Sequence, residues 1–281
     1  MVLGARQVLS QAACPNTAIR SAALEWTKVA NIHLDFGGTA SHPQLRVWNR
    51  DEAVMAADIR IEFIDPDANR NGYWSLLGRD SVEPQYRGAA SMCLYQFDLV
   101  LPKDYRGIVL HEFGHALGAD HEQQRPDAVC QDELKWEDDP GYATPSSYPC
   151  ADACDEQGRC PGVYTTYFCE ANWSHDYVDD QLRPLHPGSA FLPTAFDSLS
   201  VMKYYFPAEF FRPGVRRHCY ADPAHGLSAG DRAGMHALYD PAQRRHWASL
   251  QRATYSRVWK AGPPEDIRGY LISRGALEPE H

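Results

Sequence analysis

Residues 111–122 read HEFGHALGADHE, and this stretch decides the fold of the 281-residue chain. His111 and His115 are four positions apart, so on a helix they project from the same face and can bind one ion. On a continuous helix His121 would lie roughly 15 Å along the axis from His111, beyond the reach of a shared ion. Gly118 resolves this, because glycine adopts the left-handed conformation at low cost, ends the helix and lets the chain turn back. The spacing therefore predicts a metal site made of His111, His115 and His121.

Glu112 has the position of a group that acts on a metal-held water. It is rotated by about 100° from His111 on the helix, too far round to be a natural ligand. Three histidines leave one position of a zinc ion open, whereas structural zinc sites usually fill all four, often with Cys. The pattern H-E-x-x-H-x-x-G-x-x-H arises by chance about once per million windows, so incidental surface histidines explain it poorly. We therefore expect one catalytic Zn²⁺, which lowers the pKa of its water to about 7, with Glu112 as general base.

A second motif, S-x-M-x-Y, is formed by Ser200, Met202 and Tyr204. Together the two motifs resemble the metzincin metalloproteases, in which a methionine turn lies beneath the zinc. The residues that follow His121, Glu122 and then QQRPD at 123–127, are similar to the astacin family. This resemblance spans roughly residues 17 to 240; it is strong at both motifs and loose elsewhere.

The resemblance implies an α+β, metzincin-type bilobal zinc-protease fold. The N-terminal lobe would hold a mixed sheet and the zinc helix, and the C-terminal lobe would be rich in loops and stapled by disulfides. The implied organisation is a catalytic domain over residues 1–240, with an upper lobe at about 15–120, a lower lobe at about 121–240, a cysteine-rich insertion at about 130–190 and a C-terminal helical extension at 241–281.

The implied activity is that of a metalloendopeptidase that hydrolyses extended protein substrates through a metal-activated water. Tyr204 would donate to the oxyanion or ligate zinc in the resting enzyme; the alternative is a packed core tyrosine. In the family, the residue equivalent to Glu122 contacts the buried N-terminus; the alternative is a carboxylate satisfied by a nearby backbone group or by Arg125. Two rival functions are another metzincin subfamily and a non-catalytic peptide-binding protein. Serralysins share S-x-M-x-Y, but the calcium-binding repeats that accompany them are missing from this sequence.

The composition of the chain indicates which classes of partner to expect. A net charge of −10 and a pI near 5.6 argue against nucleic acid. The sequence contains no stretch of about 18 apolar residues, so we expect no membrane span. We expect protein or peptide substrates and a monomer. The first residues lack the long apolar core of a signal peptide, so either the leader is missing from this sequence or export takes another route.

Eight cysteines, four of them between residues 150 and 169, favour disulfides and a secreted protein. The alternative is a second zinc site, but C-x3-C, C-x5-C and C-x8-C lack the paired C-x2-C knuckles of that class. Cys14 is expected in a disulfide, with a thiolate ligand to the zinc as its alternative.

Apolar periodicity predicts the remaining elements. An amphipathic helix is expected at 17–30 and strands at 32–36 and 59–63. A strand at 89–94 is expected at the sheet edge, where it would pair with substrate. Residues 128–195 show no sustained period and are expected to be loops, and Ser228 begins a helix that ends near Asp240.

Overall fold

The computed structural model describes residues 2–4, 13–37, 46–48, 51, 57–64, 72–86, 88–185, 194–240 and 242. The strands are β1 (Val2–Gly4), β2 (Val47–Trp48), β3 (Arg60–Glu62), β4 (Tyr73–Ser75) and β5 (Met92–Leu94). The helices are α1 (Ala13–Ala23), α2 (Tyr105–Ala116), α3 (Cys130–Glu133), α4 (Val163–Ala171), α5 (His175–Leu182) and α6 (Ala229–Tyr239). No helix within these described residues is long and apolar enough to cross a membrane.

The five strands form one mixed sheet in the order β2-β1-β3-β5-β4. Parallel pairing joins β2, β1, β3 and β5, and β4 runs antiparallel to β5 with Trp74 opposite Cys93. The predicted edge position of the 89–94 strand is therefore wrong. β5 is internal, because β3 and β4 flank it on both sides, and its three residues are buried. The strand at this edge of the sheet is β4.

The upper core lies between the sheet, α1 and α2. Trp26 follows α1 in a 3-10 turn (Trp26–Lys28), is 1% exposed and donates its indole N–H to the carbonyl of Leu110 on α2 at 3.0 Å. Arg60 on β3 is fully buried, and its guanidinium donates to the carbonyls of Ala57, Ser81 and Ala89 at 2.7–2.9 Å. One buried cation thus ties the segment between β4 and β5 to the middle of the sheet.

A second, separate core forms the lower lobe. It contains α3, α4 and α5 with the aromatic rings of Phe206, Phe210 and Phe211. Disulfides join Cys130 to Cys219, Cys150 to Cys169 and Cys154 to Cys160, which confirms disulfides over a four-cysteine zinc site. Two cores on either side of the zinc motif give the bilobal arrangement.

The expectation that residues 128–195 consist of loops is wrong for α4 and α5. The first four residues of α4, Val163 to Thr166, are all buried, so apolar and polar side chains alike face protein and no amphipathic period marks the helix. Helix α5 is shorter still, and its N-cap Ser174 accepts a hydrogen bond from the N–H of Tyr177 at 3.2 Å.

Other local predictions are confirmed in part. The opening helix ends at Ala23 instead of continuing to residue 30, and residues 32–36 belong to no strand of the described sheet. The positions beside β3 are taken by β1 and β5, so the weakly alternating 32–36 segment has no strand partner there. Helix α6 begins with the predicted capping box of Ser228 and Asp231. The predicted helical extension at 241–281, apart from residue 242, and the side chain of Cys14 lie outside the described residues.

Candidate metal centre

Helix α2 carries the first two histidines and ends where the sequence requires. Its C-cap is Leu117, and the next residue, Gly118, has φ +95°. That conformation is strained for residues with a Cβ, and the nearest atom to an added Cβ would be 3.9 Å away on Leu238. The turn at Gly118 brings His121 back beside the helix, as predicted.

The three imidazoles meet at their Nε2 atoms. Nε2 of His115 lies 3.0 Å from Nε2 of His111 and 3.1 Å from Nε2 of His121. All three rings lie against one another, with centroids 4.6–5.4 Å apart. One ligand atom from each histidine is therefore within 4.8 Å of the others, which suits a single ion.

The partners on the far side of each ring assign the tautomers. Nδ1 of His111 faces the carbonyl of Val201 at 2.7 Å, and Nδ1 of His115 faces the carbonyl of Ala119 at 2.7 Å. Carbonyl oxygens only accept hydrogen bonds, so each Nδ1 carries the proton. The Nε2 atoms then carry lone pairs that point at one another. Such a group of acceptors is stabilised by a cation, and three neutral imidazoles are the ligands that zinc prefers.

Burial favours the neutral form of these ligands. It lowers the pKa of His111, lowers that of His115 well below its usual range, and lowers that of His121 to about 3. Since a protonated imidazole cannot bind metal, the site is prepared for an ion without the need to remove protons.

Glu112 follows His111 on α2 and has an unpartnered carboxylate oxygen. The residue is 4% exposed, and its buried Oε2 makes no hydrogen bond to the described residues. Burial raises the pKa of Glu112 to about 8, which favours the neutral carboxyl group. A nearby cation has the opposite effect and favours the carboxylate, the form that a general base needs.

The methionine turn lies directly beneath α2. Met202 is 4% exposed, and a Cβ placed on Gly114 would lie 2.2 Å from its sulfur. Asp231, at the start of α6, holds this turn in place. Its carboxylate accepts hydrogen bonds from the hydroxyl of Ser200 at 2.6 Å and from the N–H of Val201 at 2.9 Å. The carbonyl of Val201 also accepts the hydrogen bond from Nδ1 of His111. The turn therefore both supports the helix and orients a histidine.

Tyr204 lies beside the three rings. Its ring packs edge-on against that of His121, with the two ring centroids 4.4 Å apart. Its hydroxyl donates to Oε1 of Gln181 on α5 at 3.3 Å. Burial first, and then the charge of Glu112, raise the pKa of Tyr204 well above its usual value. Tyr204 is thus a neutral hydrogen-bond donor at the rim of the centre.

Glu122 faces away from the histidines. Its Oε1 accepts from the main-chain N–H of Asp197 at 2.9 Å and lies 3.6 Å from Nε of Arg125. Among the two alternatives for this residue, these contacts are those of a carboxylate satisfied by a backbone group and by Arg125.

A second cluster of possible ligands is occupied by other interactions. Glu133, His218 and Cys219 lie close together. Both oxygens of Glu133 accept from main-chain N–H groups at 2.8 Å, and Cys219 is in a disulfide. Among the described residues, the three histidines are therefore the better candidate for a metal site.

Gln124, which contacts His121 of the centre, and its buried neighbour Gln123 were not predicted from the sequence. Gln124 faces Nδ1 of His121 at 3.0 Å, and Gln123 accepts from the main-chain N–H of Tyr204 at 3.0 Å. Both are almost completely buried. The available signal was the pair of adjacent amides directly after the third histidine, since buried amides are usually hydrogen-bonded.

The architecture matches that of known proteins although the sequence does not. No family model and no curated protein match the chain. The structure is similar to that of myroilysin, with a TM-score of 0.55 and 21% identity over 85% of this chain and 91% of that chain. The chain has an astacin-like, metzincin-type fold.

The astacin-like fold confirms the predicted fold class. High choriolytic enzyme 1, a hatching enzyme zinc-protease from the medaka fish Oryzias latipes, also matches, with a TM-score of 0.42 and 16% identity over 85% of this chain and 88% of that chain.

Proposed function

We propose that this protein is a zinc-dependent endopeptidase that hydrolyses peptide bonds in extended substrates. The observation that carries the proposal is the meeting of three Nε2 atoms, each on a ring whose Nδ1 faces a hydrogen-bond acceptor. His111, His115 and His121 would hold one Zn²⁺. A zinc ion with three imidazole ligands supplies an activated water and polarises a carbonyl oxygen.

Glu112 is the proposed general base and acid. Its Oε2 accepts the proton of the attacking water and then delivers it to the nitrogen of the departing amine, so the carboxyl group ends each cycle as it began.

Tyr204 is the proposed donor to the carbonyl oxygen as negative charge develops there. Its hydroxyl is close to Gln181 in this structure, so donation to substrate requires a turn of the phenol O–H away from that amide. A donor to a developing oxyanion is typically worth about 10²- to 10³-fold in rate.

The edge strand β4 is the proposed support for the substrate backbone. Within the described sheet β4 pairs only with β5, so its other edge offers main-chain donors and acceptors to an extended peptide. This replaces the 89–94 strand, which is internal. Side-chain preference would come from walls within residues 128–204.

We further propose that the protein is secreted and acts as a monomer. Three disulfides support the first part, since disulfides persist in oxidising compartments.

Digestion of casein by the zinc-loaded protein, with and without chelator, tests the proposed function. We expect cleavage that chelator abolishes and added zinc restores. Protein that contains one zinc per chain and leaves casein intact would instead favour a non-catalytic peptide-binding role.

A further inference from the structure

The three histidines differ in what orients their rings. His111 and His115 face main-chain carbonyls, whose direction is set by the backbone. His121 faces a side chain, with Nδ1 3.0 Å from Oε1 of Gln124. A side-chain amide can present either its oxygen or its NH₂ group, so the tautomer of His121 depends on whatever fixes Gln124.

Helix α5 fixes Gln124. The Nε2 of Gln124 donates to the carbonyl of Asp180 at 2.7 Å and to that of Arg183 at 3.1 Å. The carbonyl of Asp180 is one of those at a helix C-terminus that lack a partner within the helix. The main-chain N–H of Leu185 donates to the carbonyl of Gln124 at 2.9 Å, so backbone and side chain are both held.

This arrangement leaves the amide one orientation. Both protons of its NH₂ group are directed to carbonyls at the end of α5, so the atom that faces His121 is the oxygen. An amide oxygen only accepts, which places the proton of His121 on Nδ1 and leaves Nε2 free to bind metal. Gln124 is 3% exposed, so water does not compete for these bonds.

We propose that Gln124 is a positioning residue: held by the end of α5, it presents its amide oxygen to Nδ1 of His121 and thereby strengthens zinc binding. The inference rests on the proposed function for the identity of the ion. In general, a partner that orients a metal-bound histidine contributes about 10- to 100-fold to metal affinity.

Gln123 provides a matched control. Its Nε2 donates to the carbonyl of Gln181, also near the end of α5, at 3.1 Å, and its Oε1 accepts from the N–H of Tyr204. It therefore anchors the same helix and is equally buried, but none of its hydrogen bonds is to a histidine of the centre. A variant that lacks the Gln123 amide should therefore hold α5 less firmly, while Gln124 still accepts the hydrogen bond from His121.

The test is zinc affinity, measured by competition with a chromophoric chelator, for wild type, Gln124→Leu, Gln124→Glu and Gln123→Leu. We expect Gln124→Leu to bind zinc about 10- to 100-fold more weakly. Gln124→Glu loses the donors to α5 but still accepts from His121 through either oxygen, so it should stay within about 5-fold of wild type. The zinc affinity of Gln123→Leu should also stay within about 5-fold of wild type. Unfolding in excess chelator should show all three variants destabilised to a similar degree.

A second readout requires no variant. In the zinc-loaded wild type, ¹⁵N NMR of the His121 ring should show a proton on Nδ1 that exchanges slowly with water. The Gln124→Leu ring should lose that protection. Bonding of zinc to Nδ1 of His121 in wild type would overturn the inference, even if the Leu variant did not fold.

The possible failures are distinct. Equal zinc affinity of wild type and Gln124→Leu, or an equal loss of affinity in Gln123→Leu, would contradict the role of Gln124 as the acceptor for His121 and leave the proposed function intact. Wild type that holds zinc with high affinity but cleaves no peptide would contradict the proposed function alone.

Discussion

Gly114→Ala should disturb the contact between the zinc helix and the methionine turn. The added methyl carbon would lie 2.2 Å from the sulfur and 3.1 Å from Cε of Met202. Normal contact is about 3.5–4.0 Å, so the side chain must move by roughly 1.5 Å. Overpacking of this kind costs about 1–3 kcal/mol, and the better helix propensity of Ala offsets about 1 kcal/mol. We expect a net loss of about 0–2 kcal/mol in the free energy of unfolding.

A double-mutant cycle with Met202→Ala isolates that contact. Met202→Ala alone should cost about 2–5 kcal/mol through the cavity that it creates. The new methyl at position 114 would fill part of that cavity, so the double variant should be more stable than the sum predicts by about 1–3 kcal/mol.

Urea unfolding in excess chelator measures the cycle without a contribution from metal binding. Met235→Ala is the control, because Met235 is a similarly buried methionine of the same core and contributes none of the three atoms nearest to the added methyl. Its cycle with Gly114→Ala should be additive within about 0.5 kcal/mol. Additivity of Gly114→Ala with Met202→Ala as well would refute the placement of Met202 beneath the helix.

Three other substitutions test separate parts of the structure. Gly118→Ala should cost about 1–2 kcal/mol and weaken zinc binding, because φ +95° strains any residue with a Cβ; unchanged chelator competition would contradict the role of this turn. Arg60→Met should cost about 2–4 kcal/mol in urea unfolding, because buried carbonyls lose their donor; a neutral effect would show that water replaces the guanidinium. Removal of the Cys130–Cys219 disulfide by paired Ala substitutions should lower the free energy of unfolding by roughly 5 kcal/mol, because this disulfide joins residues 89 positions apart. The same change at Cys154–Cys160, which joins residues 6 positions apart, should cost roughly 2 kcal/mol. Equal shifts in the melting temperature would argue against these two pairings.

The convergence of the three histidines was predictable because its information is local. Helical spacing placed His111 and His115 together, and the conformational freedom of Gly118 explained how His121 returns. The capping box of Ser228 and Asp231 was also visible in the sequence. The second role of Asp231, in which it holds the methionine turn, could not be predicted from the sequence, because its partner Ser200 lies 31 residues away along the chain.

The arrangement of strands and the lower-lobe helices needed three-dimensional information. A run of buried residues such as Met92 to Leu94 has the same pattern whether a strand is internal or lies at an edge with one face covered, so the order of the sheet stayed undetermined. Helix α4 is buried on several sides and therefore shows no clear period, and α5 (His175–Leu182) is too short for its apolar spacing to stand out in the sequence. The roles of Gln123 and Gln124 depend on carbonyls of α5 more than 50 residues away, and no local pattern reports them.

Glu112 is proposed to move the proton for a metal-held water at the three-histidine centre. Peptide cleavage by Glu112→Gln, at a verified content of one zinc per chain, tests this role most directly. We expect this variant to bind zinc like wild type and to lose activity by about 10²-fold or more. Activity close to that of wild type, at equal zinc content, would contradict it.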